Sequence, residues 1–426
     1  MRRLTLPRLR LWWERAFWVI PLAGVLAGLL LQNLAAELDE AVAELGDLEL
    51  VSAAAAGQVL AAIGGGMVTF TGFVFSFVVL ILQFGSSQYS PRSVTYFLRA
   101  RSTQVILAIF LLTITFTFLS LLDIGSLGRQ DFAPQVAVVL AVGLLLASLV
   151  GFIVLLASIG GRVRVDAVLS AFGRHACEQL PRRLAAPAQV RVGAVATAGE
   201  DADDDGPDVL KHRGRTGQVV AVDGRRLVRL ARRHRLHLEV VVRVGDSVTA
   251  GTPVARCRPT VPRRARRAVA RCVVVDVERS LGYDPLYALR LLVDVALRAL
   301  SPAINDPTTA VRALDEIEPV LRTAAGLPLG PRALGAGAGV VVLTVATWED
   351  VVDLALLEIT LAGAGQPQVT RRLTALVDDL AADVPATRVP TLDAARARLV
   401  TETRAARPGL APLALTPDRQ GLGAAR

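Results

Sequence analysis

The sequence predicts a membrane α-helical protein. A four-helix transmembrane bundle is followed by a cytoplasmic α+β region, itself a small β-barrel- or sandwich-like module plus a helical domain. Three observations carry this prediction. Four apolar runs, at about residues 16–36, 59–84, 105–122 and 134–159, contain no Asp, Glu, Lys, Arg or His. Basic flanks alternate with flanks that are acidic or, around Asp123, Arg129 and Asp131, nearly neutral. Beyond residue 160 the chain turns to mixed charged, β-branched and amphipathic segments.

A bilayer core about 30 Å thick takes about 20 apolar residues per helix, so each run is long enough to span or nearly so. Arg2, Arg3, Arg8, Arg10 and Arg15 precede the first run. The loop after it carries Glu37, Asp39, Glu40, Glu44, Asp47 and Glu49 and no basic residue. Arg92, Arg99 and Arg101 lie between the second and third runs, and Arg162, Arg164 and Arg174 follow the fourth. Basic flanks stay on the cytoplasmic side, so the expected location is a bacterial inner membrane, multi-pass, with both termini cytoplasmic. Removing the first run as a secretory leader would leave three spans and break that charge parity. Composition agrees: 53% of the residues are hydrophobic and mean hydropathy is +0.48.

The net charge is +9, and Lys211 is the single lysine, so the excess is arginine. Arginine beside a membrane attracts anionic lipid headgroups; nucleic acid is not an expected partner, since no aromatic platform or nucleic-acid motif accompanies the charge. Cys177, Cys257 and Cys272 lack CxxC spacing, which predicts reduced thiols.

Within the second span, Gly65, Thr69, Gly72, Ser76 and Gln83 fall within about 60° of one another at 100° per residue. Thr113, Thr117 and Ser120 repeat the theme in the third span, and Gly143, Ala147 and Gly151 in the fourth. These residues form a candidate pore or packing face: small residues let helices approach closely, and a hydroxyl-lined path would need several copies around an axis. No carboxylate lies in the spans, which argues against coupled transport. After Pro91 a short amphipathic elbow is expected, with Arg92, Arg99 and Arg101 as candidate lipid contacts beside Tyr89, Tyr96 and Phe97.

The segments LQFGSSQYSPRSV, RTGQVVAVD, VRVGDSVTAGTPVA and LGYDPLYALRLLVDVALRALSPAINDPTTAV resemble the bacterial membrane proteins catalogued as domain of unknown function 2254. The resemblance runs from about Trp12 to about Asp379. It implies a multi-pass membrane protein with a cytoplasmic tail and supplies no activity, cofactor or catalytic residue.

The domain reading is 1–160 for the spans, 161–208 for a juxtamembrane helix and linker, 209–276 for the β-rich module, 277–405 for the helical domain and 406–426 for a disordered tail. The linker includes the run Asp201, Asp203, Asp204 and Asp205. In the module, strands are expected over 215–222, 236–244 and 253–258, and an amphipathic helix over 225–235 with Leu227, Leu230 and Ala231 inward. The pattern is similar to lipoyl-type carriers, but no lysine stands at a hairpin tip. Arg256–Arg271 reads as a solvated basic loop or inner-leaflet contact. His212, His234 and His237 lack the paired spacing of a metal site, and neither metal nor cofactor is expected.

In the helical domain, SPAINDP separates two helices, with Asn305 or Asp306 capping the one that Pro307 begins. Ser301, Asn305, Asp306 and Thr308 form a candidate ligand elbow. Two further helices, 348–361 and 366–382, are joined by GAGQP, and another covers 392–404. Glu349, Asp350, Asp353 and Glu358 read as a solvated face, because no histidine or nucleophile joins them. The expectation is a non-enzymatic, homo-oligomeric passive channel or channel-like protein with a cytoplasmic regulatory or assembly tail. The alternative is a membrane-anchored interaction or sensor module without transport.

Overall fold

The computed structural model describes residues 18–44, 51–88, 101–126, 134–162, 164–184 and 208–420, apart from residues 278, 280, 336, 338 and 410. It divides into two units, Met1–Arg164 and Val165–Arg426.

The N-terminal unit contains α1 (Val19–Glu44), α2 (Ala53–Gln88), α3 (Arg101–Ser126) and α4 (Gln135–Arg162). All four are long and apolar enough to cross a membrane. Each helix outlasts its apolar run, since flanking residues such as Asp39 stay helical where they find partners. Helix α3 touches the other three. Leu60, Met67, Phe110, Phe116 and Leu155 fill the interior at no more than 1% exposure. Phe70 meets Phe110 and Phe152 with ring centroids 5.5 and 5.0 Å apart, the tilted and edge-on geometry that aromatic quadrupoles favour.

The C-terminal unit opens with α5 (Val165–Leu184). The β-rich part follows as β1 (Asp208–Lys211), β2 (Gly217–Val222), α6 (Gly224–His234), β3 (His237–Val240), β4 (Ser247–Val248), β5 (Pro253–Arg258), α7 (Arg263–Ala270) and β6 (Val273–Asp276). Then come α8 (Tyr287–Ala299), α9 (Pro307–Ala325), β7 (Arg332–Leu334), β8 (Val340–Leu343), α10 (Trp348–Gly363), α11 (Pro367–Asp383), α12 (Val389–Ala406) and the short α13 (Ala411–Ala414).

The strands form two open sheets, ordered β1-β5-β3-β8-β7 and β4-β2-β6, and not a closed barrel, one of the two forms, barrel or sandwich, that the turn pattern suggests. Two strands of the first sheet come from the stretch read as helical, 277–405. Strand β8 pairs in parallel with β3, Leu238 opposite Val341, and β7 runs antiparallel to β8. The β-branched run Val340–Leu343 thus finds its partner about a hundred residues upstream, a pairing that no local pattern announces. Leu227, Ala231, Leu238, Val240, Ala255, Val269 and Val341 share one core beneath α6 and α7. Part of the segment read as a basic loop is therefore helical: α7 turns Ala265 and Val269 inward.

In the helical part, α9 packs against α5, α8 and α11. Thr347 and Asp350 form a reciprocal capping box that starts α10, satisfying two otherwise orphaned donors. Trp348 follows, fully buried, its indole N–H donating to the Arg388 carbonyl at 3.0 Å. Buried Arg372 of α11 donates to Asp315 and Glu318 of α9 at 2.8 and 2.6 Å. Residues 411–420, part of the stretch expected to be disordered, dock on α11 instead. Thr370 Oγ1 donates to the Ala414 carbonyl at 2.8 Å, and Arg419 pairs with Asp379 at 2.9 Å.

Candidate functional site

The second helix presents its small and polar stripe away from its own bundle. Ala61, Ala62, Gly65, Gly66, Thr69, Gly72, Ser76 and Gln83 are all exposed. A Cβ built at Gly65, Gly66 or Gly72 would meet nothing within 4 Å. The two hydroxyls on this stripe are satisfied locally: Thr69 donates to the Gly65 carbonyl at 3.2 Å and Ser76 to that of Gly72 at 3.0 Å. A hydroxyl bonded back to its own helix costs little in an apolar medium and keeps lone pairs free to accept. The opposite side of α2, with Leu60, Met67 and Val74, is buried. Gly143 and Ala147 of α4 are likewise exposed.

The hydroxyls of α3, grouped with that stripe by the sequence, lie elsewhere. Thr113, Thr117 and Ser120 are no more than 1% exposed. Thr113 meets the Ser148 hydroxyl of α4 at 3.1 Å, Thr117 donates to the Thr113 carbonyl at 2.9 Å, and Ser120 donates to Gln32 of α1. Thr113 and Ser120 thus tie helices together inside one bundle, while Thr117 bonds back within α3. The two halves of the candidate pore or packing face are thereby separated, α2 outward and α3 inward.

Other polar and small residues of the bundle were not singled out in advance. Gly24 and Gly28 of α1 stand at four-residue spacing, and a Cβ at Gly24 would overlap the Ala108 carbonyl of α3. The spacing was the available signal. Asp39, at the far end of α1, accepts from the backbone N–H groups of Val136 and Ala137 at 2.7 and 3.1 Å. It thus neutralises the positive N-terminus of α4. Gln135 makes a two-way bond to the backbone of Val51, at 3.1 and 2.7 Å.

The polar groups of the SPAINDP corner are taken up by the corner itself. Ser301 donates to the Arg298 carbonyl at 2.7 Å. Asp306 accepts from the Thr309 N–H at 3.1 Å and its hydroxyl at 2.6 Å. Asn305, in the left-handed region at φ 49°, accepts from Gln366 at 2.9 Å. Thr308 is exposed beside them. The corner also presents the apolar Pro302, Ala303 and Ile304 outward, next to exposed Asn305.

The acids of α10 are also engaged separately. Asp350 caps the helix and receives Arg243 at 2.6 Å, and Glu358 receives Arg290 at 2.7 Å. Asp353 is paired with Arg398, and Glu349 accepts from Thr391 at 3.1 Å. Burial raises the Asp350 carboxyl, but the Thr347 backbone N–H and the Arg243 guanidinium outweigh it and hold the group below its ordinary range. Burial pushes the thiols of Cys257 and Cys272 up to about 12, which leaves them protonated and unreactive. Among the described residues, no group of three or more His, Cys, Asp or Glu is placed to hold a metal ion. Arg92, Arg99 and the elbow lie outside the described residues, as does the aspartate run of the linker. Arg101 is exposed at the first position of α3.

Comparison with known proteins agrees with a membrane protein. Residues 14–379 match the family described as "Predicted membrane protein (DUF2254)". An uncharacterised protein of Mycobacterium bovis is 33% identical over 386 residues, covering 87% of this chain and 72% of its own length. An uncharacterised protein of Mycobacterium tuberculosis matches with the same identity and coverage. No solved structure matches the chain.

Proposed function

The chain belongs to the family of predicted membrane proteins designated DUF2254, and from that premise we propose that several copies assemble in a bacterial cell membrane around their α2 faces. They form a passive channel or channel-like protein whose C-terminal unit, on the cytoplasmic side, regulates or assembles it. The observation that carries this reading is the outward stripe from Gly65 to Ser76, small and hydroxyl-bearing, where a Cβ at Gly65, Gly66 or Gly72 meets no described residue within 4 Å. Without water to drive helices together, close backbone contact across small residues becomes the main source of association in lipid. Copies meeting along this stripe would also place Thr69, Ser76 and Gln83 beside a shared axis.

The interior of a single bundle is filled by Phe110, Phe116 and Met67, so this reading needs more than one copy. The stripe holds no carboxylate or base, which favours passive passage of a neutral or weakly hydrated solute over ion-coupled transport. No chemical reaction is assigned: among the described residues, the acids of α10 are paired separately rather than converging on one point.

The test is flux through liposomes holding the purified chain, together with its mass in nanodiscs. Thr69→Leu and Ser76→Leu are expected to lower flux about tenfold while the helical content stays unchanged. A single copy per nanodisc, or a flux indifferent to both substitutions, overturns the reading. The outcome would then favour a membrane-anchored interaction or sensor module built on the C-terminal unit.

A further inference from the structure

We infer that the outward faces of α6 and α7 form a docking surface for anionic lipid headgroups. Helix α6 reads GRRLVRLARRH and buries Leu227 and Ala231 in the module core. At 100° per residue, Arg225, Arg229, Arg232 and Arg233 occupy an arc of about 100° on the opposite side, and all four are exposed. Helix α7 lies against α6 and inserts Ala265 and Val269 into the same core. Its outward residue Arg267, and Arg271 just beyond its end, are exposed too. Six arginines therefore stand on adjoining helices that both cover one core.

The nearby acids do not offset this charge. Neither helix contains an Asp or Glu. Asp223 is used as the cap of α6, its carboxylate accepting from the Arg226 N–H at 3.0 Å. Asp208 is paired with Arg266 at 2.7 Å. Glu239 alternates with the core-facing Leu238 and Val240, so it lies on the far side of its sheet, where Arg256 approaches at 3.5 Å.

Two features select a lipid surface over nucleic acid. No Phe, Tyr or Trp lies on either helix to stack a base. The same polypeptide carries four candidate membrane spans, which hold the module at high effective concentration beside headgroups. The apolar stripes of both helices are spent on the module core, so the contact is electrostatic and does not insert into the acyl region. Binding should then follow anionic lipid content and salt rather than chain packing, with about fivefold in docking equilibrium per arginine near such a surface.

The test is amide hydrogen exchange of the full chain in nanodiscs of phosphatidylcholine with and without phosphatidylglycerol. Exchange across residues 225–235 and 265–271 is expected to slow at least threefold in the anionic discs. The protection should vanish at 0.5 M salt and in the double variant Arg229→Gln, Arg233→Gln. Unchanged protection of β3 and β5 shows that the variant is folded; if it is not, Arg225→Gln with Arg232→Gln takes its place. Equal exchange in the two kinds of disc overturns the inference. So does protection produced by an oligonucleotide, or by millimolar inorganic phosphate in neutral discs, when phosphatidylglycerol has no effect.

Discussion

In the N-terminal unit Leu30, Leu122 and Ile153 are 64–70% exposed, whereas in the C-terminal unit Leu292, Ile317 and Trp348 are entirely buried. The residue types are the same and the solvents differ. In water, apolar burial drives cohesion, at about 25 cal/mol for each Å² removed. In lipid that drive between helices is absent, and cohesion comes from close backbone approach and internal polar bonds. The N-terminal unit is built accordingly. Gly24 and Gly28 bring α1 onto α3, Thr113 meets Ser148, and Asp39 holds the start of α4. The C-terminal unit instead combines a filled core with ion pairs that join helices, such as Arg372 to Asp315 and Glu318.

That contrast can be broken by substitution. Trp348→Ala should have the largest effect, about 3–5 kcal/mol, because a fully buried indole and its bond to the Arg388 carbonyl are both lost. Chemical denaturation of the purified chain, followed by circular dichroism, measures it. A loss below about 1 kcal/mol would mean that burial does not dominate this unit.

The next test sets two glycines of the bundle against each other. Gly24→Val drives a side chain into the backbone of α3 and should cost about 1–3 kcal/mol, as overpacking does. Gly72→Val meets nothing within 4 Å and should change the stability of a single bundle by less than about 0.5 kcal/mol. Unfolding by added dodecyl sulfate compares them. Equal losses would place α2 against a partner within its own chain and contradict the outward stripe.

A loss smaller than that at Trp348 is expected at Asp350. Replacing it by Ala removes the capping box of α10 and should cost about 1 kcal/mol at neutral pH. Its Arg243 pair is partly exposed and adds little. The folded-state value of this carboxyl is depressed, so the stability it contributes is present above the ordinary carboxylate range. It is lost as pH falls through the folded value. The difference between wild type and Asp350→Ala should therefore shrink in acid. A difference that grows on acidification would reverse the assignment.

The legible parts of the molecule were those set by local pattern. Residues 253–258 form β5 as the β-branched run between turn residues indicated, and Asp306, one of the two residues expected to do so, caps α9 at Pro307. Helices α10, α11 and α12 begin and end within about three residues of their apolar periodicity, inside the usual uncertainty of helix ends. Helix α7 is hidden because arginine occupies half of its positions, with Ala265 and Val269 facing inward. Strands β7 and β8 were hidden because their Gly-rich surroundings carry no alternation and their partner β3 is distant in sequence. Three residues of the candidate elbow are engaged locally, Ser301 with the Arg298 carbonyl, Asp306 with Thr309 and Asn305 with Gln366, while Thr308 is exposed.

The sequence by itself determined how many helices are apolar enough to span, because transfer into lipid depends on the composition of each run alone. It also placed Gly65, Thr69, Gly72 and Ser76 on one side of α2, a consequence of helical period. Which way that side points was decided only in three dimensions. Rotation of a helix about its axis is set by its neighbours, and α3 and α4 claim the face bearing Leu60, Met67 and Val74. The small and polar stripe is left looking outward.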